Sequence, residues 1–212
     1  METQVEKVEM IATDGALDRA IRERIDILLD ERLEAKLAAI KARKTPSMTI
    51  IATKGTLDWA YPPFILASTA AALGWDVAIF FTFYGLELLK KDLRKLRVSP
   101  LGNPAMPMKM PMGPEWFRAI GWNIPNAVQS LIPGYEAFAT QMMKKTIKNT
   151  GVAEIGELRS LCLEAGVKLI GCQMTVDLFG YDRRQFIPEV TEYVGAATFL
   201  PMAKDADVSL FI

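Results

Sequence analysis

The chain contains no histidine. That absence removes the Ser-His-Asp and Cys-His nucleophilic mechanisms and every histidine metal site at once. Only two cysteines occur in 212 residues. They are too few for a disulfide framework or a four-thiolate zinc site, and the scarcity points to a reducing, cytoplasmic setting. Neither sign of charge dominates, with 25 basic residues against 25 acidic ones. A chain without basic excess argues against nucleic acid or an acidic membrane as its main partner. The N-terminus is charged, so no secretory signal is visible. No apolar run reaches the roughly 20 residues that span a bilayer. Phe64 to Leu89 comes nearest, and Gly74-Trp75 and Asp76 interrupt it; peripheral membrane contact stays open. The glycine spacings of a P-loop or a dinucleotide fingerprint are also missing.

What is present divides into an extension, 1–45, and a domain, 46–212. Residues 1–15 are polar and read as frayed. Asp14, a plausible N-cap, opens a helical pattern that runs to about Lys44 and stops at Thr45-Pro46. Leu17, Ile21, Ile25, Leu29, Leu33 and Leu37 step by four, which drifts around a helix and makes a broad apolar stripe in place of a clean heptad seam. Such a helix packs on its own domain or on a copy of itself, and a homo-oligomer is the expectation.

The domain opens with a β-rich run, Met48 to Thr53, and a helix from Leu57 to Leu73 ended by Gly74. The apolar run Val77 to Phe83 suits a strand covered on both faces, and a helix from Leu86 to Leu96 follows. Strand and helix alternating at this spacing imply right-handed βαβ units in a parallel sheet. From about 99 to 134 the periodicity fails. This proline- and methionine-rich insertion, with Trp116 and Trp122, reads as a functional or disordered loop. Its Met-Pro-Met-Lys-Met-Pro-Met run suits an adaptable partner surface or lid, with Cu(I) thioether ligation as the lesser alternative. Order resumes with helices over Tyr135 to Lys148 and along Ile155, Leu158, Leu161, Cys162 and Ala165. A strand then ends at Cys172, a short helix covers Thr175 to Leu178, another covers Arg183 to Tyr193, and another Thr198 to Lys204. Val208 to Ile212 closes the sheet.

Cys172 is the first candidate for chemistry. It ends a strand where a helix begins, and chemistry in parallel sheets collects outside the carboxyl ends of strands. Helix amides at that point favour the thiolate. A low-pKa thiolate attacks sulfur without a general base, which suits a chain lacking histidine. The competing reading is a small buried core residue. Asp177, one turn on, would raise the thiol pKa if close to the sulfur. Cys162 reads as core, with a secondary sulfur-carrying role as the alternative. Helix and strand rises separate the two cysteines by about 10 Å along the strand, beyond the roughly 7 Å that a disulfide tolerates. Lys54-Gly55-Thr56 follows the first strand and, with Thr175, offers amides and a cation for an anion or thiolate; an ordinary βα turn is the alternative.

Three segments carry a resemblance: Phe80-Phe-Thr-Phe-Tyr-Gly-Leu-Glu-Leu-Leu89, the Pro/Met-rich insertion, and Gly166-Val-Lys-Leu-Ile-Gly-Cys-Gln-Met-Thr-Val-Asp-Leu-Phe-Gly180. Together with the closing Leu-Phe-Ile, they resemble the DsrE/DsrF-like sulfur-relay family over about 46–212. The match is to its larger branch, sometimes labelled peroxiredoxin-like, although no peroxidatic Pro/Thr/Cys arrangement surrounds Cys172. The resemblance implies a flavodoxin-like three-layer α/β/α sandwich, usually oligomeric. It also implies a persulfide-carrying cysteine at Cys172, with Cys162 as a second, and TusA-like carriers and rhodaneses as partners. No cofactor or metal is implied. The alternative function is a non-enzymatic binding or scaffold protein that engages a partner or membrane through the Met/Trp loop and N-terminal helix. A flavin or nucleotide at the sheet edge is a third, weaker option.

Overall fold

The computed structural model describes residues 2–99, 108–122, 125, 128, 131–190 and 192–212, with the backbone alone for 2–17, 41–43, 108 and 122. Two units are compact in themselves, Met1–Thr45 and Pro46–Ile212. The first is one helix, α1, Glu2–Arg43. It begins well before Asp14, which therefore lies inside the helix and does not cap it. An interior glycine such as Gly15 costs only about 1 kcal/mol, and extending an existing helix is far cheaper than nucleating a new one. Ile21, Ile25, Leu29, Leu33, Leu37 and Ile40 are all exposed along α1.

The second unit is a flavodoxin-like α/β/α sandwich around five parallel strands. These are β1 (Ser47–Ala52), β2 (Asp76–Phe81), β5 (Lys168–Cys172), β6 (Glu192–Val194) and β7 (Val208–Phe211), in the spatial order β6-β5-β2-β1-β7. Two more strands, β3 (Met108–Lys109) and β4 (Gly121–Trp122), pair antiparallel apart from this sheet. The chain winds from β1 through β2 and β5 to β6 in one direction, then returns to place β7 on the far side of β1. Crossovers in one direction put their helices on one face, and the return puts its helix on the other.

Strand side chains divide accordingly. Ile50, Ile79, Phe81 and Leu169 join the larger core beneath α2 (Leu57–Ala72) and the helix Ile155–Glu164. Ala78, Phe80, Ile170 and Cys172 point the other way, to a smaller core closed by Phe199. Phe199 is the buried residue of the helix Ala196–Asp205 and stacks on Phe80 with ring centroids 4.5 Å apart.

Several expected elements take another form. The segment after β2 is not an α-helix but two 3-10 turns, Phe83–Leu89 and Leu93–Lys95. Leu86, Leu88 and Leu89 are all buried, a demand that a one-faced α-helix does not meet. Arg159 supplies the bonds that an α-helix would have made, donating to the carbonyls of Leu88 and Lys90 at 3.0 and 2.6 Å. The expected helix from Arg183 is a single 3-10 turn, Arg183–Gln185, followed by strand β6; Pro188 denies a helix the donor it needs there. Within the insertion, β3 and β4 flank α3, Glu115–Ala119. Pro104 to Pro107 of the methionine-rich run lie outside the described residues. Numbered in order, the remaining helices are α4 (Tyr135–Asn149), α5 (Ile155–Glu164), α6 (Gln173–Phe179) and α7 (Ala196–Asp205). Phe64 to Leu89 is divided among α2, β2 and a 3-10 turn. No helix among the described residues is long and apolar enough to cross a membrane.

Candidate functional site

Cys172 is the last residue of β5 and the N-cap of α6, with extended backbone and no side-chain capping bond. The register beside it is fixed on both sides. Cys172 pairs with Val194 of β6, and Phe81 of β2 pairs with Gly171. One residue further, Thr82 lies alongside Cys172. Thr175, three residues into α6, completes the group. It is fully buried, its hydroxyl is 3.2 Å from that of Thr82, and it accepts the Phe83 N–H at 3.2 Å. Phe83 has φ of 49°, a left-handed conformation that is uncommon for a bulky residue and typical of functional turns.

That turn is locked from below. Gly85 donates to the carbonyls of Thr53 and Thr82, and a Cβ built on it would lie 2.1 Å from the Ala52 carbonyl oxygen. Gly55 is its counterpart, since a Cβ there would lie 2.2 Å from the Tyr84 carbonyl oxygen. The two glycines let the β1 and β2 turns interlock, and this holds Thr82 and Phe83 in place. On the outer side, Tyr181 donates to Glu87 at 2.7 Å and Lys90 pairs with the same carboxylate at 2.6 Å.

The electrostatics favour a reactive sulfur despite its burial. Cys172 is only 3% exposed, not at an open crevice mouth as its strand-end position implies. Desolvation, the largest influence, pushes its pKa up. The Thr175 and Thr82 hydroxyls and the Thr175 and Met174 N–H groups outweigh it, and the thiol ends below its ordinary value. Asp177 plays no part: its carboxylate is exposed and accepts from Gln173 at 2.6 Å. Lys54 is not brought to the sulfur either. Its ammonium lies over the Trp59 ring, 3.1 Å from the centroid, and β1 is two strands away from β5, about 10 Å across the sheet. Thr56 caps α2 only through its backbone; its buried hydroxyl has no hydrogen-bond partner. Gly55 and Thr56 line a separate cleft of about 560 Å³ with Glu87, Lys90 and Gln185, which Cys172 does not reach.

Cys162 lies on the opposite face of the sheet from Cys172. It is fully buried and donates to the Phe64 carbonyl at 3.4 Å. Burial pushes its thiol up to about 11. An unfolded thiol ionises near about 8.5, so this contribution to stability is complete below that pH and is lost as pH rises towards 11. Thermal melts across that range are expected to fall more steeply for the wild type than for Cys162→Ala.

Sequence reasoning missed Thr82 and the Phe83 turn. Their signal was available only jointly, as a hydroxyl residue one step past a strand that pairs in register with the cysteine strand. Among the described residues no group of three or more His, Cys, Asp or Glu side chains could hold a metal ion.

A family described as DsrE/DsrF/DrsH-like matches residues 44–211. The chain is 56% identical over 165 residues to a protein of Allochromatium vinosum named sulfur carrier protein DsrE2, covering 78% of this chain and 97% of that one. It is 30% identical over 172 residues to YrkE of Bacillus subtilis, an uncharacterized protein, covering 80% of this chain and 98% of that one. The family match begins at residue 44, so all of α1, which ends at Arg43, lies outside it.

Proposed function

The chain belongs to the DsrE/DsrF/DrsH-like family, and from that premise we propose that it carries sulfane sulfur as a persulfide on Cys172. The observation that carries this reading is the placement of Cys172 at the carboxyl end of β5 and the N-cap of α6, where neighbouring hydroxyls and helix amides hold the thiol below its ordinary value despite its burial. The Cys172 thiolate attacks the outer sulfur of a donor persulfide. The donor's S–S bond breaks, its electron pair leaves with the donor thiolate, and the transferred sulfur keeps its proton. Discharge is the same exchange with an acceptor thiolate. No oxidant or reductant is consumed, and no histidine is required.

A donor must reach a sulfur that is nearly covered. Phe83, Tyr84, Met174, Leu178 and Phe179 are exposed on the turn and helix that flank Cys172, and exchange proceeds through this rim once a partner engages it. Sulfur-carrier proteins of the TusA-like and rhodanese kinds are the proposed partners. The exposed Ile and Leu side chains of α1 support self-association, which light scattering of the full chain measures.

Treating the full chain with glutathione persulfide and weighing the Cys172 peptide tests the function. One added sulfur is the expected result. An unmodified peptide from a protein with an intact circular dichroism spectrum rejects it. The 3% exposure of Cys172 favours a second reading, a binding protein with an inert thiol. An alkylation midpoint at or above about 8.5 is the result that this alternative requires.

A further inference from the structure

We propose that the outward edge of the buried Arg159 guanidinium is an oxyanion site, which takes the carboxylate or phosphate group of a small ligand in the cleft beside the start of α5. Cys172 has no part in this site, so it stands or falls separately from the carrier reading.

Arg159 is a cation inside the fold without a counter-ion. It is 9% exposed, and it forms no ion pair among the described residues. Its Nη1 donates to two main-chain carbonyls, those of Leu88 and Lys90, at 3.0 and 2.6 Å. These bonds occupy two of the five N–H donors of a guanidinium. The donors on Nε and Nη2 make no hydrogen bond among the described residues. They are not sealed in, because the buried side-chain polar atoms without a partner there are Thr56 Oγ1 and Asp58 Oδ1. The open side is a cleft of about 390 Å³ that Arg159 lines. Nε and Nη2 stand side by side on the planar group, the arrangement that meets a carboxylate or phosphate in two parallel bonds.

The rest of the cleft suits an anion. Lys91 and Lys144 also line it, and neither pairs with a carboxylate among the described residues; Lys144 donates to the Arg94 carbonyl at 3.0 Å. Both acids of the lining, Asp92 and Glu154, are already engaged. Asp92 accepts from the Arg94 side chain at 2.9 Å and from its main-chain N–H at 3.1 Å. Glu154 forms a capping box with Glu157 at the start of α5. The first turn of that helix, through Ile155 and Gly156, adds the positive end of its dipole to the cleft wall. Burial pushes the Arg159 pKa down and Glu189 offsets only part of that. The fold thus leaves a buried charge under-compensated, and an anion at Nε and Nη2 would complete it.

The test is the melting temperature of the full chain in sodium phosphate and in sodium acetate, each against sodium chloride at equal ionic strength. At least one is expected to give a saturable rise of about 3 °C, and the one that does identifies the ligand class. Phosphate also stabilises folds by exclusion from their surfaces, so the decision falls to variants. Gly156 lines the cleft three residues before Arg159 on α5, a spacing that shares one helix face, and a Cβ there meets nothing within 4 Å. Gly156→Glu is expected to supply the missing carboxylate from within and abolish the rise. Gly156→Gln, alike in shape but neutral, is expected to keep it. Arg159→Lys retains the charge without the fork and is expected to weaken the apparent affinity about tenfold. If that variant does not fold, the Gly156 pair decides alone. No rise above chloride overturns the proposal, as does a Gly156→Glu response equal to the wild type. Loss of the rise in Gly156→Gln as well overturns it too, since space and not charge would then be responsible. An Arg159→Lys protein that responds like the wild type also overturns it, because the forked geometry would be idle.

Discussion

Cys172→Ser is expected to take up no sulfur at all from glutathione persulfide, under conditions in which the wild type gains one sulfur atom. A serine hydroxyl has neither the acidity nor the softness to attack a sulfur–sulfur bond at neutral pH, and the chain has no histidine to activate it. The fold should survive, because serine is close to isosteric and the Thr82 and Thr175 hydroxyls give its oxygen polar partners. Cys162→Ser supplies the contrast. That thiol is fully buried in the larger core, so its replacement is expected to lower the melting temperature while Cys172 still loads. Intact-protein mass and a thermal melt on the two variants separate the outcomes. Loading of Cys172→Ser at the wild-type level would sink the assignment of the carrier residue.

Gly85→Ala is expected to be the most damaging small substitution in the domain, costing about 3 kcal/mol. The reason is not backbone conformation but space. The added methyl would lie 2.1 Å from the Ala52 carbonyl oxygen and 2.8 Å from its carbon. Neither atom belongs to a side chain that can swing away, so the carboxyl ends of β1 and β2 must part. Gly85 also bonds the carbonyls of Thr53 and Thr82, and moving it moves the turn that carries Phe83. The variant is therefore expected to lose cooperative stability in urea and to show a raised alkylation midpoint at Cys172. Gly74→Ala is a fitting control, because a Cβ there meets nothing within 4 Å and only its positive φ of 81° is strained. A Gly85→Ala protein as stable as Gly74→Ala would refute the interlocked turns.

The parts of this molecule legible in the sequence are those with local causes. Val77 to Phe81 is apolar at every position because β2 is covered on both faces, and the strand ending at Cys172 is flagged by the glycine that stops the helix before it. Leu57 to Leu73 keeps its helical periodicity although Pro62 and Pro63 lie inside α2 and give up two of its backbone donors. What escaped has distant causes. Leu86 to Leu89 look helical by content, yet Arg159, far along the chain, stabilises a tighter path by binding the Leu88 and Lys90 carbonyls. The strand β6 is three residues long and its pairing with β5 leaves little periodicity to detect. Thr82 becomes part of the site only because β2 and β5 are neighbours in one register, and strand order is not written in local composition. Lys54 stands apart from Cys172 for the same reason: a turn after the first strand is near Cys172 only if the first strand is beside the third, and here β2 stands between them.

The placement of the two sulfurs on opposite sides of five strands has a consequence for cargo security. A neighbouring thiol in the same molecule would attack a loaded cysteine, close a ring and release the load as sulfide. With that route walled off, the proposed persulfide on Cys172 would depart only to another molecule's thiol, and the sheet would work as a lock that no internal key can turn.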